Sequence, residues 1–214
     1  MQFDFHSTRS ILVQRGGSTQ LAKIAQEQGA SKVLIVTDPG VLSAGLLEKA
    51  LPQFKELQIP VHIFSDVQAD PPVAVIEAAV QVAQEYQADC IIGFGGGSSM
   101  DVAKLVALLS LGKEKLADIY GIGNAKGPRL PLILVPTTAG TGSEATKSSV
   151  VTVSESEKKG VLSPHLLPDV ALLDAELTLG LPAHVTAATG IDAMVHAIEA
   201  FTTKHLKNPM ADCL

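Results

Sequence analysis

The chain has 214 residues, 46% of them hydrophobic, and a formal net charge of −6, which allows one or two domains with a buried core. The acidic balance argues against sequence-independent binding to nucleic acids, and neither a signal peptide nor a membrane-spanning run of ~18 apolar residues is visible. Two distant cysteines, Cys90 and Cys213, fit a reducing compartment, so we expect a soluble cytoplasmic protein without nucleic-acid or membrane partners.

Short apolar strands alternate with helical segments through most of the chain. The run at Val33–Thr37 is rich in β-branched residues, as in a strand buried on both faces. Asp38-Pro39-Gly40 ends it, and a helix is predicted over Leu42–Leu57. Asp70-Pro71-Pro72 is expected to cap and start a later helix. The remaining predicted elements are strands at Val61–Phe64, Asp89–Phe94 and Leu132–Val135 and helices at Val73–Gln87 and Met100–Leu111. This alternation predicts an α/β fold, a Rossmann-like doubly wound parallel sheet.

The character of the sequence changes after about residue 181. Before that point, Ser154–Lys159 is predicted as a loop between strands at Ser149–Val153 and Val161–Leu162. After it, Ala187–Phe201 is helical in type but apolar on nearly every side, as in a helix buried inside a larger body. We therefore predict an α/β domain over residues 1–181 and the start of an all-helical domain over residues 182–214.

Only 13 residues follow Phe201, too few to cover this helix. Either a partner chain covers it, or the chain is a shortened version of a longer protein, and we favour the second interpretation. In that case the helix exposes an apolar patch and promotes association, including homodimer formation.

A glycine-rich loop is the most informative motif. Within Ile91–Lys104 an apolar strand leads into three consecutive glycines, a serine and then a helix. Glycines allow close approach of backbone amides, and a helix N-terminus adds unpaired N–H groups and the positive end of its dipole. This order predicts a phosphate site, with the pyrophosphate of a dinucleotide as the expected ligand. The alternative is a tight turn that binds no ligand.

A second glycine-rich loop, Pro136–Glu144, also follows a predicted strand. It offers hydroxyl groups at Thr137, Thr138 and Ser143. Because the carboxyl ends of parallel strands share one sheet edge, two such loops favour a ligand site over simple turns.

Three acidic or imidazole side chains are further candidates. Asp38 follows the first strand, where it either hydrogen-bonds a ribose diol, favouring NAD over NADP, or caps a helix. Asp192 and His196 are four residues apart and share a helix face with Glu199. The pair offers two ligands to a divalent cation, which is an incomplete site; the alternative is a structural polar pair. His205 would need a chain reversal to become a third ligand.

Four blocks together resemble the iron-containing (group III) alcohol dehydrogenase family, and they occur in its order over nearly the whole chain. They are Gly95–Lys104, Pro136–Thr146, Ser163–Asp169 and Ala188–Glu199. The resemblance implies a dinucleotide domain, a helical domain and an active site between them. It implies reversible hydride transfer between an alcohol or aldehyde substrate and NAD, assisted by Fe²⁺ or Zn²⁺.

The resemblance also implies the site residues. Gly96, Gly97 and Ser98 would hold the pyrophosphate with support from Asp101, and Asp38 would bind the adenosine ribose. The hydroxyl residues of the second loop, Thr137, Thr138 and Ser143, would line the cofactor cleft, and Lys158 would reach it from the hairpin. The cofactor-binding residues are thus Asp38, Gly95, Gly96, Gly97, Ser98, Asp101, Thr137, Thr138, Ser143 and Lys158, and the metal ligands are Asp192 and His196.

The chain departs from the family pattern at its end. The family takes two further histidine ligands and a catalytic-site histidine from later helices, whereas this chain stops at Leu214, in the block around Asn208–Asp212 that normally opens the next helix. Two alternatives therefore stay open: a catalytically inactive nucleotide-binding fragment, or a related enzyme of the glycerol dehydrogenase or dehydroquinate synthase type.

Overall fold

A six-stranded parallel sheet organises residues 5–203, the part of the chain that this computed structural model describes. Its strand order is β1-β9-β6-β4-β2-β3, and β5, β8 and β7 form a second, three-stranded sheet. The strands are β1 (Ser10–Val13), β2 (Val33–Val36), β3 (Val61–Phe64), β4 (Cys90–Gly95), β5 (Gly121–Ile122), β6 (Leu132–Pro136), β7 (Ser148–Ser154), β8 (Glu157–Leu162) and β9 (Val170–Leu173). The predicted Rossmann-like α/β fold is confirmed.

Helices cover both faces of the main sheet. The α-helices are α1 (Leu21–Glu27), α2 (Pro39–Ser43), α3 (Leu51–Glu56), α4 (Val73–Tyr86), α5 (Gly97–Leu109) and α6 (Ala183–Thr202). Short 3₁₀ turns lie at Gly17–Gln20, Leu116–Asp118, Ser143–Ala145, Pro164–Leu166 and Ala175–Thr178. Every residue of β2, β4 and β6 is buried, because the sheet carries one apolar core on the side of α4 and α5 and another on the side of α1 and α3.

The strand register brings the two glycine-rich loops together. Strands β4 and β6 are parallel neighbours, with Gly95 paired to Pro136 at their carboxyl ends. The backbone N–H of Thr137 donates to the carbonyl of Gly95 at 3.0 Å. Both loops therefore leave the sheet side by side at one edge.

Four local predictions are corrected by the structure. The helix predicted over Leu42–Leu57 is divided into α2 and α3, because the chain turns at Gly45, where φ is +67°. Helix α5 begins at Gly97 rather than Met100, so glycine forms its first turn. Strand β8 begins at Glu157, which makes the hairpin loop shorter than the predicted Ser154–Lys159.

The fourth correction concerns the start of α4. The N-cap is Pro72, with no side-chain capping bond, and Asp70 instead forms an ion pair with Lys158 at 2.6 Å. Strands β1 and β9 and helix α1 were not among the predicted elements.

Helix α6 differs from the other long helices in its exposure. None of its 20 residues is buried, and its exposed apolar side chains are Ile191, Met194, Val195, Ile198 and Phe201. The described residues thus leave this apolar helix uncovered. The domain division predicted at residues 181 and 182 falls just before α6 and stays a prediction. Within residues 5–203, no helix is both long and apolar enough to cross a membrane.

Candidate functional site

The first turn of α5 forms the centre of the candidate site. Strand β4 ends at Gly95, Gly96 is extended with φ −77° and ψ −172°, and α5 starts at Gly97. Within the described chain, no side chain caps this N-terminus. Its amide groups and the positive end of the helix dipole therefore point out of the sheet edge, where an anion is favoured.

Each of the three glycines faces different surroundings. A Cβ at Gly95 would lie 2.7 Å from the hydroxyl of Ser99, and a Cβ at Gly97 would lie 2.9 Å from Cγ2 of Thr141. At Gly96 the nearest atom would be 3.6 Å away, the hydroxyl of Thr138. Gly95 and Gly97 are thus needed for packing within the protein, whereas a Cβ at Gly96 would make only ordinary van der Waals contact with Thr138.

A buried lysine joins the first loop to the second. Nζ of Lys104 donates to Oγ of Ser143 and to the carbonyl oxygen of Ser148, both at 2.8 Å. Ser143 in turn donates to Oδ1 of Asp101 at 2.6 Å, and Oδ2 of Asp101 accepts from the N–H of Val150 at 3.0 Å. The second loop and the hairpin β7–β8 are therefore held against α5 by polar contacts.

Burial affects the acidity of this lysine. Removal of Lys104 from water lowers its pKa from 10.5 to about 8, against the opposing attraction of Asp101 and Glu144. Sequence reasoning gave Lys104 no role, because its burial depends on the packing of β7 against α5. It predicted Asp101 as a support for the first glycine loop, which stays a prediction; the bonds of Asp101 to Ser143 and Val150 connect α5 to the second loop and to β7.

Two cavities meet at Asp38 and Gly96. The first cavity, about 510 Å³, is lined by Asp38 and Pro39, Asp66 to Ala69, and Gly96 to Ser99. The second cavity, about 690 Å³, is lined by Asp38, Gly40, Val41, Ser43, Ala44, Leu46, Gly96, Thr137, Thr138, Leu177, Gly180, Leu181 and Pro182. The structure thus brings Asp38, the glycines, Ser98 and both threonines to one edge of the sheet.

The sequence did not predict several of the residues that line these two cavities. Leu177 and Leu181 reach the second cavity from the turns that follow β9, a strand that was not predicted. Ser99 lies inside the glycine motif, but its contact with Asp38 depends on the spatial approach of β2 and β4.

A third cavity, about 370 Å³, contains the candidate metal ligands. Asp192 and His196 of α6 line it together with Gly97, Ser98 and Asp101. Oδ1 of Asp192 lies 3.6 Å from Nε2 of His196, and both side chains are partly exposed. The metal pair therefore faces the glycine loop across a cavity.

The donor set fits only part of a metal site. A carboxylate oxygen and an imidazole nitrogen are suitable ligands for Fe²⁺ or Zn²⁺, which need more than two. Across residues 5–203, no cluster of three or more His, Cys, Asp or Glu side chains is arranged to hold a metal ion. Asp192 and His196 thus supply two donors, and His205 lies outside the described residues.

Lys158 lies apart from the other predicted site residues. It lines none of the three cavities, and its ammonium group pairs with Asp70, which lines the third. Its predicted contact with the cofactor stays a prediction.

Comparison with known proteins gives a consistent result. Residues 8–175 match the family described as iron-containing alcohol dehydrogenase. The long-chain-alcohol dehydrogenase 1 of Geobacillus thermodenitrificans (strain NG80-2) is 40% identical over 202 residues, which are 93% of this chain and 51% of that protein.

Solved structures agree with this match. A 1,3-propanediol oxidoreductase superposes with a TM-score of 0.94 at 34% identity, over 100% of this chain and 56% of the other. A sulfoacetaldehyde reductase from Bifidobacterium kashiwanohense in complex with NAD⁺ gives a TM-score of 0.87 at 32% identity, over 95% and 54%. The chain spans about half the length of the relatives it matches.

Proposed function

The chain belongs to the iron-containing alcohol dehydrogenase family, and on that basis we propose that it binds NAD at the N-terminus of α5. We further propose that it serves as the cofactor half of an NAD-dependent, divalent-metal-dependent alcohol dehydrogenase. The observation that carries the proposal is the uncapped start of α5 between two cavities that share Asp38 and Gly96. The NAD⁺ complex of the similar sulfoacetaldehyde reductase supports it.

In this proposal, NAD lies across the three neighbouring cavities described above. In the proposal, the amides of Gly97 and Ser98 bind the pyrophosphate and Asp38 accepts hydrogen bonds from the adenosine ribose. The second cavity, with its apolar wall of Val41 and Leu177, suits the adenine ring. Gly97 and Ser98 also line the third cavity, which would be left for the nicotinamide, and NAD⁺, when bound, would supply the hydride acceptor.

We place the substrate at the third cavity, because the two candidate metal ligands line it. Asp192 and His196 would be two ligands there for Fe²⁺ or Zn²⁺, and a bound divalent cation would supply Lewis-acid polarisation to the oxygen of an alcohol or carbonyl compound. The described residues would hold the two loops in place through Lys104 and Asp101, so that the cofactor and substrate would be oriented toward each other. The names of relatives, among them alcohol dehydrogenases and a sulfoacetaldehyde reductase, support a small alcohol or aldehyde as substrate. The free, buried thiol of Cys90 fits the proposed cytoplasmic location.

Calorimetric titration with NAD⁺ and a coupled assay test the two halves of this proposal. The 214-residue chain is expected to bind one NAD⁺, and the variants Asp192→Asn and His196→Ala should bind it with the same affinity, within about twofold. With Fe²⁺ or Zn²⁺ added, alcohol-dependent formation of NADH that both variants abolish would support catalysis. Failure of the chain to bind NAD⁺ would contradict the whole proposal.

A second candidate function is a nucleotide-binding module without catalysis. It is favoured by one observation: within residues 5–203, Asp192 and His196 form an incomplete and partly exposed metal site. This function predicts NAD⁺ binding unaccompanied by tight metal binding or turnover. Stoichiometric metal that survives dialysis, together with NADH formation, would rule it out.

A further inference from the structure

Ser99 makes an unusual hydrogen bond for a serine inside a helix. It lies in the first turn of α5, is 1% exposed, and donates from Oγ to Oδ2 of Asp38 at 3.0 Å. Helical serines commonly donate to the carbonyl four residues earlier, as Ser110 near the other end of α5 does to Val106 at 2.6 Å. Ser99 instead connects the glycine loop to the end of β2, 61 residues away.

This bond fixes the second oxygen of the Asp38 carboxylate. The first, Oδ1, accepts from the N–H of Val41 at 3.0 Å as the N-cap of α2. One such bond leaves a carboxylate free to rotate about its own axis, whereas two bonds set its plane. Because each carboxylate oxygen has two acceptor positions, Asp38 retains acceptor capacity toward the cavities that it lines.

Gly95 provides the space for this contact. A Cβ at position 95 would lie 2.7 Å from Oγ of Ser99 and 3.0 Å from Oδ2 of Asp38. Such separations are too short for a side-chain carbon, so a residue larger than glycine would displace one of the two partners. The Ser99–Asp38 pair is therefore part of the construction of the glycine loop.

We propose that Ser99 is a positioning residue that sets the preference of this site for NAD over NADP by fixing the Asp38 carboxylate. The inference rests on the proposed function. A ribose with both hydroxyls free donates to a carboxylate held in place, whereas a 2′-phosphate meets a like charge that is prevented from rotating away. The Ser99 hydroxyl is also committed to Asp38, so it is not available as a donor to the 2′-phosphate.

The test is a double-mutant cycle on the 214-residue chain, read by calorimetric titration with NAD⁺ and NADP⁺. The measured quantity is the ratio of the Kd for NADP⁺ to the Kd for NAD⁺. Ser99→Ala should lower this ratio about five- to tenfold, the scale of one ordinary net hydrogen bond. The control Ser110→Ala, which removes a hydroxyl at the C-cap of the same helix, should leave the ratio unchanged.

The Asp38→Ala background separates positioning from a purely structural role. There, Ser99→Ala should change the ratio by less than about twofold, because Ser99 acts through the missing carboxylate. If Ser99→Ala fails to fold, Ser99→Cys, which keeps a side chain of similar shape with a weaker donor, replaces it with the same expectation.

The outcomes distinguish a failure of this inference from a failure of the proposed function on which it rests. A ratio that Ser99→Ala leaves unchanged, in a chain that binds NAD⁺ and responds to Asp38→Ala, overturns the inference alone. An equal shift with and without Asp38 also overturns it. A wild-type chain that binds neither nucleotide overturns the proposed function and the inference together.

Discussion

The glycine loop of the main sheet and helix α6 line the same cavity, but the loop follows a fully buried strand whereas α6 has no buried residue. The glycine loop sits on β4, a strand whose residues are all buried, and Lys104 and Asp101 attach it to the neighbouring loop. Helix α6 carries Asp192 and His196 on a surface where none of its residues is buried. The difference teaches that the proposed cofactor residues lie on a tightly packed framework, whereas the proposed metal pair lies on an exposed helix that supplies only two donors within residues 5–203.

The largest expected difference between the two regions is in side-chain packing. Ile92 of β4 is fully buried and Ile191 of α6 is 62% exposed. Ile92→Ala should lower the free energy of unfolding by about 2–5 kcal/mol through lost burial and a residual cavity. The matched variant Ile191→Ala should stay within about 0.5 kcal/mol of the wild type. Urea denaturation measures both, and similar losses in the two variants would contradict the comparison.

A second pair of variants adds a methyl group instead of removing atoms. A Cβ at Gly93 would lie 2.7 Å from both Cβ of Ala103 and Cδ2 of Leu134, whereas a Cβ at Gly190 meets nothing within 4 Å. Gly93→Ala should cost about 1–3 kcal/mol by overpacking. Gly190→Ala should instead stabilise α6 by about 0.5–1 kcal/mol, because alanine favours the helix. Thermal unfolding followed by circular dichroism should therefore show shifts of opposite sign, and a destabilised Gly190→Ala chain would show that α6 is packed.

The smallest expected effect is the change of stability with pH that the buried side chain of Lys104 causes in the α/β region. The pKa of Lys104 is about 8 when folded, against 10.5 ordinarily, so above pH ~8 the unfolded chain binds more protons at this group. Its contribution to stability therefore rises with pH, by at most about 1.4 kcal/mol per pH unit, until the unfolded lysine also titrates.

Urea denaturation between about pH 7 and pH 9.5 measures this contribution as a difference in slope. The wild type should gain stability relative to Lys104→Met as the pH rises. Lys159→Met, on the exposed hairpin, is the control and should keep the wild-type slope. Equal slopes for the wild type and Lys104→Met would contradict the account of a buried, destabilising charge.

The fold was largely predictable from sequence because its signals are local. Val61–Phe64 and Val73–Tyr86 follow the pattern of a short β-branched strand and of a helix started by prolines, and both occur within a residue of the predicted bounds. The two glycine loops were predicted to meet because parallel strands end at one sheet edge, and the Gly95–Pro136 pairing confirms their approach.

The parts that sequence reasoning missed depend on distant contacts. The division of the Leu42–Leu57 segment follows from a turn at Gly45 that its helical composition conceals. The burial of Lys104 and the bond from Ser99 to Asp38 each require segments about 40 to 60 residues apart to pack together. Such contacts leave no periodic pattern, so a single sequence does not reveal them.

The central claim, that the N-terminus of α5 is a dinucleotide site, is tested most directly at Gly96. A Cβ there makes only ordinary van der Waals contact, since its nearest neighbour is 3.6 Å away, and Gly96 lines both cavities beside the helix N-terminus, where we expect a valine side chain to obstruct a bound phosphate. Calorimetric titration should show that Gly96→Val weakens NAD⁺ binding by about 100-fold or more, the loss expected when backbone donors to a phosphate are blocked. Its unfolding temperature should stay near that of the wild type, and Gly190→Val, on exposed α6, should bind NAD⁺ normally. A folded Gly96→Val chain that binds NAD⁺ as tightly as the wild type would contradict the account.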